Sequence, residues 1–206
     1  MIPQLTLPDE KTRFLNLITF EDAYRLQKEL LAERIQGACS DITLGLVHRP
    51  CITVGRMGKG SEILEDKGLP VYFIERGGRV TYHGPGQLVV YFIWNIKNLG
   101  IKGFLDLLEE VTADTLKSMG VKEQNIRRNV NGRGVWIGDK KIASIGIAVK
   151  QWVAYHGLSI NIDSRIHQGF DKISPCGMSS DEICCLEHFG IKADAEDVFR
   201  ILTDTF

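Results

Sequence analysis

The chain has 206 residues, 44% of them hydrophobic, with 25 Lys and Arg against 26 Asp and Glu. That length suits one domain, or two small ones, with a sizeable core, and the charge balance excludes a global basic field for nucleic acid and an acidic tail. No apolar run reaches bilayer length, Met1-Ile-Pro-Gln-Leu-Thr lacks the basic-then-apolar order of a signal peptide, and five cysteines without a Cys-x-x-Cys pair fit a reducing cytoplasm better than a secreted disulfide framework.

Taken in order, Thr19-Phe-Glu-Asp22 has the form of a capping box, and apolar residues at Phe20, Ala23, Tyr24, Leu30, Leu31 and Ile35 predict an amphipathic helix ending near Gly37. Ile42–Val47 and Cys51–Val54 read as strands, and Gly55–Gly60 as a loop. Pro70–Glu75 reads as a strand, and Leu88–Trp94 is so continuously apolar that it suits a strand buried on both faces. A helix is expected from about Gly103 to Met119, capped by Gly120. Three further strands follow, over 134–138, 141–149 and 152–162, with a tight turn at Gly138-Asp139-Lys140. An irregular connector covers 163–174, a short helix is expected over Asp181–Phe189, and a last helix runs over Ala195–Phe206 behind Asp194. No linker, repeat or low-complexity tract divides the chain. About seven strands and three or four helices predict one α+β domain, residues 1–206, around a mixed sheet flanked by helices.

Between two of these strands lies Arg76-Gly-Gly-Arg-Val-Thr-Tyr-His-Gly-Pro-Gly-Gln87. It is expected to be a glycine-rich loop. Glycine allows close backbone approach to a ligand, and Arg, Tyr and His together exceed what a hairpin turn requires. The other reading is an ornate hairpin. Gly84-Pro-Gly86 precedes a strand rather than a helix, and no Walker A sequence is present, so the signal for a nucleotide is weak.

Ser174-Pro-Cys176-Gly-Met places a thiol behind a proline and beside a glycine, as a nucleophile needs; an ordinary turn cysteine is the alternative. Its thiolate needs a cation or base. Lys140 and Lys141 stand at the mouth of an apolar strand, where an amine loses water and gives up its proton more readily, and these residues alone do not choose between them. His83 and His156 are each a base or a structural histidine. The groups His48 with Cys51, and Cys176, Cys184 and Cys185 with His188, lack zinc-site spacing, so no metal is expected.

Arg76–Gln87, Gly138-Asp-Lys-Lys-Ile-Ala-Ser-Ile-Gly146, His156-Gly-Leu-Ser-Ile-Asn161 and Ser174-Pro-Cys-Gly-Met178 together resemble the lipoyl (octanoyl) transferase family, related in fold to biotin– and lipoate–protein ligases. The resemblance covers nearly the whole chain. It implies a mostly antiparallel sheet and an acyl thioester on Cys176, and it selects Lys141, directly before Ile-Ala-Ser-Ile-Gly, as the catalytic lysine. It also implies an acyl pocket lined by Arg76, Gly77, Gly78, Arg79, Val80, Thr81, Tyr82 and His83, by Ser144, Ile145 and Gly146, and by Gly157, Leu158 and Ser159. The implied donor is octanoyl–acyl carrier protein. The implied acceptors are apo lipoyl domains of 2-oxoacid dehydrogenase E2 subunits and the glycine cleavage H protein. No cofactor, ATP or metal is implied, and a monomer is expected. An ATP-dependent lipoate or biotin ligase and a non-catalytic module that holds a lipoylated domain are the competing readings. Two departures stand out: Arg79 where a Gln or other polar residue is expected, and Cys184-Cys185-Leu186 where the family tends to Thr-Ser-Leu. Gly77 and Gly78 are expected to clear an acyl tunnel, with Arg56, Lys59, Arg76 and Arg79 as a basic rim at its mouth.

Overall fold

Strand β6 (Gln87–Asn95) sets the layering. Leu88, Val90 and Phe92 face one layer and Val89, Tyr91 and Ile93 the other, because strand side chains alternate and both faces are covered. In the computed structural model, which describes residues 11–66, 68–130, 132–174 and 180–206, β6 lies within a seven-stranded sheet. Edge to edge the sheet runs β1 (Thr12–Ile18), β2 (Ile42–His48), β6, β10 (Val153–Asn161), β9 (Lys140–Lys150), β8 (Gly134–Ile137) and β7 (Ile126–Arg128). β1 and β2 are parallel; every other neighbouring pair is antiparallel. A smaller sheet pairs β3 (Cys51–Val54) with parallel β4 (Val71–Phe73) and antiparallel β5 (Val80–His83).

Helix α1 (Phe20–Gln36) lays Ala23, Leu26, Leu30 and Leu31 on Leu44, Leu46, Val89 and Tyr91. On the opposite face, α2 (Gly100–Ser118) and α4 (Ala195–Thr203) bury Phe104, Leu108, Leu116, Val198 and Leu202 against Leu88, Val90, Phe92 and Ile160. Each fully buried Leu or Phe contributes about 1.5–3 kcal/mol. The short helix α3 (His167–Phe170) packs Phe170 on Ile52, Val54, Val80 and Tyr82 of the small sheet. The expected caps form: the Thr19 hydroxyl accepts from Asp22 N–H at 3.2 Å, Gly37 is left-handed at φ +76°, and Asp194 accepts from Asp197 N–H at 2.8 Å. No helix among the described residues is long and apolar enough to cross a membrane.

The structure departs from the sequence expectations at several places. It has two sheets and ten strands among the described residues, not one sheet of about seven. β1 was hidden because Asn16, at φ +54°, breaks its alternation and shifts the register against β2. Part of the expected glycine-rich loop is β5, whose four residues are all buried. β7 is only three residues long. Helix α2 begins at Gly100 rather than Gly103. The helix expected over Asp181–Phe189 is two 3-10 turns, Ser180–Glu182 and Leu186–Phe189, because Ile183 bridges to Lys141 and Cys184 N–H donates to Lys141 O at 2.9 Å. Those sheet-type bonds take the backbone groups a helix would use.

Candidate functional site

A cavity of about 430 Å³ opens between the 76–79 segment, β5 and the strands β6, β9 and β10, a size usual for a small-molecule site. Of the residues expected at the pocket, Arg76, Gly77, Gly78, Arg79, Val80, Thr81, His83, Ser144, Ile145, Gly146, Gly157, Leu158 and Ser159 line it, together with Lys141. Tyr82 does not: its ring packs edge-on to Phe170 at 6.1 Å and lies over Gly84 and Gly169. Cys176 lies outside the described residues, as do Pro175, Gly177 and Met178. Phe20, Val89, Tyr91, Ile101, Leu105 and Ile183 also line the cavity and were not anticipated. For Val89 and Tyr91 a signal existed, since they alternate along one face of β6. For α2 there was none, because nothing in its own pattern says which strand it leans over.

The glycines act through close packing of backbone. A Cβ on Gly146 would stand 2.8 Å from Gly77 O, and one on Gly157 would stand 2.1 Å from Val90 O. Both therefore clear protein neighbours, not ligand. Gly77 N–H donates to Ile147 O at 2.8 Å and holds the 76–79 segment down on β9. Gly78 sits at φ +84°, so a branched side chain there strains the backbone itself. Gly146 and Gly157 thus make room for strand backbone, whereas a Cβ on Gly77 would meet only Ile147 O at 3.6 Å, so the space beside Gly77 belongs to the cavity.

Arg76 is not a rim residue. It is 9% exposed, with Nη2 donating to Thr53 O at 2.9 Å and to Thr53 Oγ1 at 2.8 Å, and Nη1 donating to Gly77 O at 2.9 Å. Burial draws its pKa down to about 10, so it remains a cation at neutral pH and ties the small sheet to the cavity wall. Arg79 is paired with the buried Glu62 carboxylate at 2.6 Å. The expected basic rim is thus reduced to the exposed Arg56 and Lys59.

Lys141 and Lys140 diverge as strand alternation requires: Lys141 is half-buried and lines the cavity, and Lys140 is exposed. Lys141 Nζ sits 4.8 Å from the centre of the Trp136 ring, a cation–π contact. Its side chain passes over Gly134, where a Cβ would meet Lys141 Cε at 2.8 Å and Ala143 O at 2.4 Å. The missing side chain of Gly134 is the slot that admits Lys141.

The histidines form a buried polar array. His48 Nε2 lies 2.6 Å from Tyr91 Oη. His83 Nδ1 lies 2.7 Å from Gln87 Oε1, Gln87 Nε2 donates to Asn161 Oδ1 at 2.9 Å, and Asn161 Nδ2 donates to Cys184 O at 3.0 Å. This one-way chain makes Nδ1 the protonated nitrogen of His83. Burial, with His48 beside it, pushes His83 down to about 3, and burial pushes His48 to about 4. His83 is therefore a weak base. His156 is left-handed at φ +62°, is packed among Tyr24, Tyr91 and Tyr155, and is likewise held low by burial. Its Nε2 is 3.8 Å from the Glu75 carboxylate, beyond hydrogen-bond reach, and has no hydrogen-bond partner among the described residues.

Residues 20–206 match the family model described as the lipoyl protein ligase A/B catalytic domain. The chain belongs to this family, and by its relationships it is an enzyme of the acyltransferase class. An octanoyltransferase from Caldicellulosiruptor saccharolyticus is 40% identical over 195 residues, covering 90% of this chain and 82% of the relative. A probable octanoyltransferase from Pyrobaculum aerophilum is 38% identical over 188 residues, covering 91% and 81%. Among solved structures, a putative lipoate protein ligase from T. acidophilum with bound lipoic acid superposes with a TM-score of 0.70 at 14% identity, covering 88% of this chain and 79% of that one. At that identity the likeness speaks for the fold alone.

Proposed function

We propose that this chain is one catalytic unit that transfers an octanoyl group from acyl carrier protein to a lysine of an apo lipoyl domain, through a thioester on Cys176. The observation that carries the reading is the placement of Lys141 on the wall of a mostly apolar cavity, beside the pinned 76–79 segment. Ile183, seven positions after Cys176 in the chain, pairs with Lys141; Ser174, two positions before it, donates its N–H to Glu62 O at 2.8 Å. Both flanks of the thiol segment are thus bonded to the cavity's surroundings.

In this reading Lys141 accepts the Cys176 proton as the thiolate attacks the donor thioester and the carrier thiol leaves with a proton. The neutral acceptor lysine then attacks the acyl-Cys176 carbonyl, and Lys141 takes the proton that this amine loses and passes it to the departing Cys176 sulfur. Thioester exchange is close to isoenergetic and the final amide is downhill, so no nucleotide is consumed. The octanoyl chain occupies the apolar cavity, where each buried methylene contributes about 0.8 kcal/mol. The test is intact-mass analysis after incubation with octanoyl–carrier protein and apo lipoyl domain in ATP-free buffer. Wild type is expected to gain one octanoyl group and then to pass it on, and Cys176→Ser to gain none. Equal labelling of Cys176→Ser would move the acyl group to another residue, and product formed only with ATP would make the enzyme a ligase.

A further inference from the structure

Behind the cavity, three donor side chains converge that acyl transfer does not use. His167 opens α3, Cys185 immediately precedes the 3-10 turn Leu186–Phe189, and His188 lies within that turn. One ligand atom from each lies within 4.8 Å of the other two. The imidazoles are stacked, with centroids 5.2 Å apart. His167 Nε2 is buried without a hydrogen-bond partner among the described residues, a state that calls for an explanation. Asp171, Asp181, Asp163 and Glu187 lie near the group, with Lys140 and with Arg165, which pairs with Asp163 at 2.6 Å, as nearby cations among the described residues.

We propose that His167, Cys185 and His188 bind a divalent zinc-class ion, with water in the fourth position. Core packing accounts for a buried cysteine. It does not account for an imidazole nitrogen left without a partner among the described residues, in a ring that stacks on a second imidazole beside a thiol. Two imidazoles and a thiolate are a borderline-soft set, suited to Zn²⁺ rather than to Mg²⁺ or Ca²⁺. Metal–ligand bonds of about 2.0–2.3 Å put tetrahedral ligands roughly 3.3–3.7 Å apart, so the donors close by about an ångström, a movement the exposed His188 side chain supplies. Cys185 gives its proton to solvent as the metal–sulfur bond forms. The ion ties α3 to the segment that pairs with Lys141 through Ile183. The site stands independently of the acyl-transfer reading, since no ligand is a cavity residue.

The test is Co²⁺ titration of the reduced, untagged, chelator-treated full chain, followed by absorption and then by Zn²⁺ competition. Wild type is expected to bind one equivalent, with tetrahedral d–d bands and a thiolate-to-cobalt charge-transfer band that Zn²⁺ displaces. Cys185→Ser should lose the charge-transfer band, His188→Ala should weaken binding at least tenfold, and Cys176→Ala should leave the spectrum unchanged. His188 is exposed, so its variant keeps the test sound if Cys185→Ser fails to fold. Wild-type binding that is absent or not stoichiometric overturns the proposal. So does a spectrum that survives His188→Ala at full affinity, or one that vanishes with Cys176→Ala.

Discussion

Acidification should destabilise this protein through its buried histidines well before its carboxylates titrate. His48, His83 and His156 are 0%, 8% and 2% exposed. Burial holds all three below the ordinary value of 6.5, His48 at about 4 and His83 at about 3. The surroundings are mixed: Arg76 opposes protonation of His83 and His156, joined by His48 and His156 at His83 and by Lys28 at His156, and Glu21 and Glu75 favour it at His48 and His156. Each folded pKa is depressed in a base, so the neutral form is the one that folding favours. The stability contribution is complete above pH 6.5 and is lost as pH falls from there toward the folded values, because the unfolded chain takes up protons that the folded chain refuses. At pH 5, linkage gives a loss of about 2 kcal/mol for His48 and about 2 kcal/mol for His83 relative to pH 8. Together, about 4 kcal/mol corresponds to a fall in Tm of roughly 8–16 °C for a chain of this size. The assay is urea unfolding at pH 5, 6, 7 and 8 on wild type, His48→Gln and His83→Gln. Each variant is expected to be less stable at every pH and to have a shallower pH slope, by up to one proton. The slope isolates titration from lost packing. A wild-type stability that is flat from pH 8 to 5, or a slope unchanged in both variants, refutes the reasoning.

Four other outcomes follow from the cavity. Gly77→Val should fold, since a Cβ there meets only Ile147 O at 3.6 Å, yet it should favour shorter acyl chains; if two methylenes are excluded, octanoyl loses about 1.6 kcal/mol, roughly 15-fold in kcat/KM relative to hexanoyl, and an unchanged ratio places the chain elsewhere. Gly78→Val, at φ +84°, should instead lower Tm while leaving that ratio alone. Gly134→Ala, at φ +148° with its Cβ 2.4 Å from Ala143 O, should lower Tm and also close the Lys141 slot, lowering transfer by the folded protein at least tenfold while binding of a non-reactive octanoyl amide persists, as measured by calorimetry; wild-type kcat would remove the slot from the argument. Lys141→Ala should slow iodoacetamide labelling of Cys176 near neutral pH and shift it to higher pH, whereas exposed Lys140→Ala should not, as read by site-resolved mass spectrometry; equal effects would misassign the base.

Much of the frame was legible because its signals are local. The continuous apolar run of β6 could only be buried on both sides, and Thr19, Gly37 and Asp194 mark helix ends through hydrogen bonds to their own neighbours. β5 was not legible. Glycine and proline on both sides disguise four residues that are extended only because β3 pairs with them. Asp181–Phe189 has helical composition, and a non-local partner, Lys141, overrides it. At the site, residue types and spacing pointed to the 76–83 stretch and to the Lys140–Lys141 pair, with the family resemblance choosing Lys141, but the surroundings that set each role were hidden. Arg76 looks like a ligand-binding arginine and is satisfied by Thr53 and Gly77. His83 looks like a base, and only three-dimensional burial beside His48 removes its basicity.

The cavity's walls differ in how freely they can change. On the sheet side, Gly146, Gly157 and the 76–79 segment are locked by ladder bonds and backbone contacts, so a substitution there disturbs several strands at once. The α2 side presents Ile101 and Leu105 from a helix whose hydrogen bonds are its own, and Ile101 is 49% exposed. Side chains on that wall can be exchanged without touching the ladder. Divergence in acyl preference, whether by drift or by design, has its least obstructed route there: the sheet keeps the reaction geometry, and the helix is free to vary the shape of the molecule it accepts.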